Sequence, residues 1–107
     1  MVYIREAHPT DGWALPRNQF QITDPKTLEE RRKVARAFAA QLKVSIPILV
    51  DTLDDQVEKA YHGWPDRIYV VDARGQIALK GEPGPAGFRP AVQAAPAVLD
   101  RLLAGSK

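Results

Sequence analysis

A helix-like segment separates the first two strand-like segments of the sequence, and this arrangement restricts the fold more than any other feature. Residues 2–4 are β-branched or aromatic, and residues 46–50 form a continuous apolar run that contains Pro47 near its start. The patterns predict two strands, the second of them buried on both faces. Because residues 27–43 between them predict a helix, a crossover joins the strands and favours parallel pairing. The expected fold class is therefore α/β, with a layered sheet.

Residues 27–43 carry the signals of a helix start and of one apolar face. Thr27 and Glu30 fit a capping box, in which the Thr27 hydroxyl accepts the Glu30 amide and the Glu30 carboxylate accepts the Thr27 amide. The basic run 31–33 is expected to lie largely on the solvated face. Apolar residues recur at helical spacing and predict the buried stripe, namely Leu28, Val34, Ala35, Phe38, Ala39 and Leu42.

The next elements predicted are a brief helix and a β-hairpin. Asp54 or Asp55 is expected to cap the helix. Residues 67–72 and 76–80 are expected to be strands, and they flank a turn in which Gly75 supplies the left-handed conformation. This is the clearest hairpin in the sequence.

Glycines and prolines mark the ends of the two later helices. The brief helix is expected to stop at Gly63, with His62 as a surface residue beside its C-terminus. A last helix follows residue 90, in which Pro96 predicts a kink or a restart and Gly105 the end. Its inward face is predicted to hold Val92, Ala95, Val98, Leu99 and Leu102.

Composition excludes several classes of function. The chain has 107 residues, 45% of them apolar, and no cysteine, so thiol catalysis, disulfides and cysteine metal sites are not available to it. His8 and His62 are too far apart in sequence for a zinc motif, and we expect no metal. A net charge of +2 without a long basic block argues against nucleic-acid binding. Without a membrane-length apolar run or an apolar start, we expect a cytoplasmic protein with no membrane partner.

Residues 3–13 read YIREAHPTDGW and resemble the signature of the iodothyronine deiodinase family, which usually reads Tyr-Ile-Glu-Glu-Ala-His, two variable positions and Asp-Gly-Trp. Residues 50–55, 60–61, 64–70 and 81–85 resemble later family segments in the expected order. The resemblance extends over nearly the whole chain, from Tyr3 to Leu102. Arg5 replaces the usual first glutamate, and Glu82 stands where glycine is common.

The resemblance implies a fold and a chemistry. The fold would be a single thioredoxin-like domain over residues 1–107, of the peroxiredoxin-like kind, truncated at its N-terminus relative to the family and incomplete at its central strand. Characterised members remove iodine reductively from thyroid hormone rings with a selenocysteine, or a cysteine in some members. In the family the nucleophile follows a strand, and the resemblance finds no counterpart of that strand and its helix in this chain. We therefore expect the isolated chain to be inactive, and the resemblance implies no cofactor.

Three residues match motif positions where the resemblance implies hydrogen bonding and proton delivery, and these are the expected catalytic residues: Tyr3, Glu6 and His8. Histidine can donate a proton to a developing carbanion or phenolate, and Glu6, two residues earlier on a strand, would share its face and orient the ring. Alternatively, His8 is a strand-end histidine bonded to the backbone, and Tyr3 is a core residue.

Three further residues are the expected substrate-binding group: Asp11, Trp13 and Pro65. The Asp-Gly-Trp turn would place an aromatic lid over a ring-shaped ligand, although Trp13 could instead attach the long loop of residues 9–26 to the body. The resemblance also implies a cis Trp64–Pro65 bond beside the active site, as in thioredoxin folds. The expected ligand is an aromatic small molecule.

Two functional hypotheses follow from these observations. The first is a deiodinase-like oxidoreductase, and the second is a non-catalytic thioredoxin-fold module that binds a partner or an aromatic ligand. An incomplete sheet would leave strand edges open. We expect either direct pairing of residues 2–4 with residues 67–72 or, preferably, a homodimer in which a second copy supplies strands.

Overall fold

The computed structural model describes residues 1–18 and 20–105 of a chain that divides into two compact units, residues 1–61 and 62–107. None of the helices described is long and apolar enough to cross a membrane. The order of elements agrees with the sequence prediction. It runs β1 (Val2–Tyr3), α1 (Leu28–Gln41), β2 (Leu49–Val50), α2 (Gln56–Tyr61), β3 (Tyr69–Val71), β4 (Ile77–Lys80) and α3 (Phe88–Gly105).

The sheet of the first unit consists of β1 and β2. They pair in parallel, with Val2 opposite Leu49 and Tyr3 opposite Val50, which confirms the predicted parallel arrangement. The prediction that residues 46–50 are buried on both faces is wrong, because Leu49 is 68% exposed. Side chains alternate along a strand, so Tyr3 and Val50 share the side on which α1 packs, and Val2 and Leu49 lie on the other.

Each sheet has two strands among the described residues: β1 pairs with β2, and β3 pairs with β4. The expectation that residues 2–4 pair directly with residues 67–72 is therefore wrong. Strand β1 is hydrogen-bonded to its parallel partner β2, as in the amide of Asp51 donating to the Tyr3 carbonyl at 2.9 Å.

Helix α1 begins with half of the predicted capping box. The Thr27 hydroxyl accepts the Glu30 amide at 3.1 Å, as predicted. The Glu30 carboxylate, however, accepts the amide of Lys26 at 2.7 Å and not that of Thr27. The helix ends at Gln41 because Lys43, two residues later, adopts a φ of 52°, which is left-handed.

The buried face of α1 differs from the predicted stripe at both ends. Ala35 is 3% exposed, as expected, and Arg31 is equally buried, whereas Arg32 and Lys33 are exposed, so the basic run 31–33 lies largely, but not wholly, on the solvated face. Leu42, predicted to be inward, is 46% exposed. Arg31 precedes Ala35 by four residues and therefore lies on the same helix face, while Leu42 lies beyond the last helical residue.

Helix α2 is capped by residues further upstream than the sequence predicts. The Thr52 hydroxyl accepts the first amide of α2 at 3.2 Å, and the carboxylate of Asp51 accepts the second and third, each at 2.9 Å. The prediction that Asp54 or Asp55 caps this helix is wrong. Asp55 adopts a φ of 62°, and its carboxylate forms an ion pair with Arg31.

The end of α2 also differs from the prediction. The left-handed residue after Tyr61 is His62, with a φ of 50°, and not Gly63. His62 is exposed, as expected of a surface residue at a helix end.

The hairpin of the second unit agrees with the sequence prediction, with shorter strands. Strands β3 and β4 are antiparallel, with an irregularity between Val70 and Val71. Gly75 has a φ of 80°, the left-handed conformation that the turn requires. The Asp72 carboxylate fixes the turn by accepting the amides of Arg74 and Gln76 at 2.8 and 2.9 Å.

Helix α3 packs on the hairpin through its small residues. Ala91 is 4% exposed, whereas Val92 and Leu99 are 44% and 45% exposed, so the prediction that these two lie inward is wrong. Ala91 takes the place of Val92 on the inward face, which continues through half-buried Ala95, Val98 and Leu102, as predicted. Pro96 lies inside the helix without dividing it, so no restart occurs.

Candidate functional site

The predicted catalytic residues lie around the segment that leaves β1. Because β1 ends at Tyr3 and residues 7–8 form a bend, Glu6 and His8 are not alternate residues of one strand. The argument that strand alternation places them on one face is therefore wrong. The structure pairs Glu6 with Tyr3 and His8 with Trp13.

Tyr3 and Glu6 form a half-buried hydrogen-bonded pair. The Tyr3 hydroxyl donates to Oε1 of Glu6, and the Tyr3 ring packs on Phe38 of α1, with ring centres 5.8 Å apart. Burial raises the pKa of Glu6 above its ordinary 4.5, Asp24 raises it further, and Arg31 partly offsets both effects. Glu6 therefore holds a proton to higher pH than an exposed glutamate does.

His8 contacts Trp13 through both its ring nitrogen and its ring face. Nδ1 of His8 lies 3.0 Å from the Trp13 carbonyl oxygen, and the two rings meet edge to face with centres 4.5 Å apart. A carbonyl only accepts hydrogen bonds, so Nδ1 carries a proton. In the neutral ring Nε2 is then the nitrogen with the lone pair, which can accept a hydrogen bond or a proton.

Asp11 closes the loop of residues 9–26. Its carboxylate accepts the Asp24 amide at 2.8 Å and the Lys26 ammonium at 2.9 Å. The amide of Thr10 adds a bond to the Ile22 carbonyl at 2.8 Å. The Asp24 amide and the Lys26 side chain hold the pKa of Asp11 below its ordinary value. Both oxygens of Asp11 are thus used within the loop.

Trp13 presents most of its indole to solvent. It is 68% exposed, although its backbone carbonyl is held by His8. The amide of Gly12 donates to the Pro9 carbonyl at 3.1 Å and forms the tight turn that precedes Trp13. An exposed indole on an anchored turn offers a flat apolar surface beside an imidazole.

Pro65 belongs to the other unit, residues 62–107, and is half-buried there. The Trp64–Pro65 peptide bond is cis, as expected. The next residue, Asp66, packs against Gly84: the Gly84 amide donates to the Asp66 carbonyl at 2.8 Å, and a β-carbon on Gly84 would lie 2.0 Å from the Asp66 carboxylate.

Sequence reasoning missed two charged residues beside the Tyr3–Glu6 pair. Asp24 lies in the irregular loop, where no periodicity indicates a contact, and its charge acts on Glu6. Arg31 belongs to a basic run that the sequence pattern predicts to lie largely on the solvated face, and nothing in that pattern indicates its burial. The spacing of Arg31 to Ala35 and Phe38, four and seven residues, could have placed it on the buried face.

Within residues 1–18 and 20–105, no group of three or more His, Cys, Asp or Glu side chains could hold a metal ion. The segment after β1 carries the titratable side chains of Glu6 and His8. Glu6 with Tyr3 and His8 with Trp13 provide two adjacent segments of hydrogen-bonded, titratable side chains.

Comparison with known proteins identifies the family. A sequence model of iodothyronine deiodinase matches residues 1–102. Thyroxine 5-deiodinase of Sparus aurata is 37% identical over 90 residues, 83% of this chain and 33% of that protein. Type I iodothyronine deiodinase of Xenopus laevis is 33% identical over 90 residues, 84% of this chain and 34% of that protein.

Thyroxine 5-deiodinase of Ovis aries is 32% identical over 89 residues, 83% of this chain and 30% of that protein. The chain thus spans about a third of the length of the curated relatives it matches. The match extends through both units of the structure and includes the segment from Tyr3 to Trp13. The chain belongs to the iodothyronine deiodinase family.

Proposed function

We propose that this chain supplies the proton-delivery and ring-binding part of a deiodinase-like oxidoreductase domain with a thioredoxin-like fold. The reaction is the reductive removal of iodine from an iodinated aromatic compound. The names of the relatives and the hydrogen-bonded Tyr3, Glu6 and His8 support this proposal. The parallel pairing of β1 and β2 around α1 supports the fold.

The reaction requires two groups with different roles. A thiolate or selenolate takes the iodine as I⁺, and the electron pair of the carbon–iodine bond remains on the ring carbon. That carbon then takes a proton and becomes C–H. The 107 residues contain no cysteine, so the thiolate or selenolate belongs to another polypeptide segment or to a partner molecule. His8 is the proton donor in this scheme.

The observation that carries the proposal is the contact between His8 and Trp13. Because the Trp13 carbonyl holds Nδ1, the imidazole presents Nε2 as its exchangeable position in a fixed ring orientation. The exposed indole beside it provides a face on which an iodinated ring can stack. Ring binding and proton delivery are thereby brought together within six residues of sequence.

Ligand binding tests the proposal directly. Isothermal titration of the full chain with ortho-iodophenol and with phenol should show tighter binding of the iodinated ring, because iodine adds apolar area. Trp13→Ala should weaken binding about tenfold, since base-like stacking on an aromatic side chain contributes about 1–3 kcal/mol. His8→Ala should weaken it to a smaller extent.

The matched control is His62→Ala, because His62 is exposed and lies in the other unit. This variant should bind ortho-iodophenol as the unaltered chain does. Binding that is unaffected by Trp13→Ala, or equally affected by His62→Ala, would contradict the proposed site.

A second candidate function is a non-catalytic thioredoxin-fold module that binds an aromatic ligand or a partner. The absence of cysteine from the sequence favours it. The two hypotheses differ in selectivity: a binding module without dehalogenation chemistry has no reason to prefer an iodinated ring to an equally apolar methylated one. Comparison of ortho-iodophenol with ortho-cresol separates them.

We also propose that two copies of the chain associate in the cytoplasm. Val2 and Leu49 are neighbours across the parallel ladder and are 38% and 68% exposed. Burying such an apolar pair against a second copy would stabilise the two-stranded sheet. Multi-angle light scattering at micromolar concentration should give twice the monomer mass of 11.9 kDa. Monomer mass for the unaltered chain would contradict the association.

A further inference from the structure

Arg5 and Glu58 form an ion pair between the segment that follows β1 and the first turn of α2. Nε of Arg5 lies 3.5 Å from Oε2 of Glu58, whose side chain is 13% exposed. A carboxylate that is largely removed from water requires a compensating charge, and the guanidinium of Arg5 supplies it. Because Arg5 stands where the family usually has glutamate, the usual residue would place a second negative charge beside Glu58.

The start of α2 is also connected to the end of β1 through the backbone. The Tyr3 carbonyl accepts the Asp51 amide at 2.9 Å, and the Asp51 carboxylate accepts the Glu58 amide at 2.9 Å. The segment of residues 3–5 is therefore attached to α2 at two points, directly through the Arg5 guanidinium and through Asp51 at the Tyr3 carbonyl. Attachment at one point leaves a segment able to rotate about that point, whereas attachment at two points fixes its orientation.

Arg5 lies within the stretch of chain that the Tyr3–Glu6 hydrogen bond closes. The Tyr3 hydroxyl donates to Oε1 of Glu6, three residues later. Residues 4–6 belong to neither a helix nor a strand and residues 7–8 form a bend, so no regular element sets the direction of the chain at Glu6. Because residue 5 directly precedes Glu6, a displacement of residue 5 also displaces Glu6 relative to Tyr3.

We propose that Arg5 is a positioning residue for the Tyr3–Glu6 hydrogen bond, and that its ion pair with Glu58 fixes the orientation of this pair against α2. The charges at positions 5 and 58 are then matched, and changing either one alone loosens Glu6. A partly exposed ion pair adds little to global stability, so the effect is on local geometry. The role of the Tyr3–Glu6 pair in dehalogenation rests on the proposed function, whereas the coupling of Arg5 to this pair does not.

The test follows the Tyr3 hydroxyl by NMR at pH 7 in the full chain labelled with ¹³Cζ-tyrosine, with Tyr3→Phe used for assignment. In Glu6→Ala the hydroxyl loses its acceptor, and the resulting shift of the Tyr3 signal is the reference for a broken hydrogen bond. Arg5→Gln and Glu58→Gln should each move the Tyr3 signal part of the way toward that reference. Arg5→Glu should move it further, because Glu58 then repels the segment.

A charge swap and a matched control separate the ion pair from a general change of charge. Arg5→Glu combined with Glu58→Arg restores an ion pair of reversed sign and should return the Tyr3 signal toward its original position. Arg36→Gln removes an exposed arginine that pairs with Glu29 on α1 and should leave the Tyr3 signal unchanged. An unchanged Tyr3 signal in both Arg5→Gln and Glu58→Gln, or a charge swap that recovers none of the Arg5→Glu shift, would overturn the proposal.

Urea denaturation distinguishes positioning from a purely structural role. Arg5→Gln should lower the denaturation midpoint only slightly, as Arg36→Gln should, because each removes a partly exposed ion pair. A large loss of stability in Arg5→Gln with an unchanged Tyr3 signal would assign the ion pair a structural role and overturn the proposal. Failure of ortho-iodophenol binding by the unaltered chain, with Tyr3 signals that move as expected, would refute the proposed function alone.

Discussion

The Nδ1 atom of His8 lies 3.0 Å from the carbonyl oxygen of Trp13, and this contact determines the tautomer of the neutral imidazole. We predict that neutral His8 is the Nδ1–H tautomer, because a carbonyl cannot donate. Long-range ¹H–¹⁵N correlation spectra above pH 8 should show this tautomer for His8. An Nε2–H tautomer at His8 would remove the basis for Nε2 as the proton-delivering atom.

Asp51 should contribute more to stability than any exposed carboxylate. It is 1% exposed and accepts the amides of Thr52, Val57 and Glu58. Asp51→Ala should lower the free energy of unfolding by about 1–3 kcal/mol, since it leaves helix-start amides without an acceptor. Urea denaturation measures this loss, and Asp100→Ala, at an exposed position of α3, is the control. Equal losses in the two variants would contradict the capping role.

The lowered pKa of Asp51 allows a prediction of how the free energy of unfolding depends on pH. Burial alone raises the pKa of Asp51, but three backbone amides and Arg31 outweigh it and hold the pKa below the ordinary 3.8. A lowered folded pKa contributes stability above the unfolded pKa, and this contribution is lost as the pH falls through the folded pKa. The pKa of Glu6 is raised, so its effect on stability has the opposite pH dependence. The stability that Glu6 contributes is present at low pH and is lost as the pH rises through the folded pKa of Glu6.

Thermal unfolding followed by circular dichroism from pH 2 to pH 6 can separate the two carboxylates. In Asp51→Asn, the stability should fall less steeply than in the unaltered chain as the pH decreases below 4. Glu6→Gln should instead raise stability relative to the unaltered chain as the pH increases above 4.5, the ordinary pKa of Glu6. A similar pH profile for all three proteins would contradict these carboxylate environments.

Gly84 should not tolerate a side chain, for a reason specific to its neighbour. A β-carbon there would lie 2.0 Å from Oδ1 of Asp66, so one of the two must move. Gly84→Ala should destabilise the chain by about 1–3 kcal/mol, as overpacking does. Gly105→Ala, where nothing lies within 4 Å, should not destabilise it. Combining Gly84→Ala with Asp66→Ala should recover part of the loss, and no recovery would place the cause elsewhere.

Sequence patterns predicted helices and strands correctly where an element depends on a turn residue, a capping residue or the spacing of a few neighbouring residues. The hairpin around Gly75, the Thr27 start of α1 and the parallel pairing of β1 with β2 all agree with the sequence. Each depends on residues close in sequence or on a crossover whose handedness is restricted. The contact of His8 with Trp13, five residues apart, is also local.

Other features depend on which residues lie nearby in the folded chain, and sequence patterns do not identify these neighbours. The apolar run 46–50 predicts that Leu49 is buried. Leu49 lies on the face of the sheet opposite α1, however, and is 68% exposed. Arg31 reads as solvated because it is charged, yet carbonyl and carboxylate partners from the loop before α2 allow its burial. The cap of α2 by Asp51 depends on a loop geometry that composition alone does not specify.

We propose that His8 delivers a proton and Trp13 binds a ring in deiodinase-like chemistry, while the 107 residues contain no cysteine that could act as the nucleophile. Iodide release from ortho-iodophenol by the purified chain with dithiothreitol tests it most directly. The account predicts iodide release no faster than in a no-protein control, because the chain contains no cysteine to form the attacking thiolate. Release above that control would contradict the account.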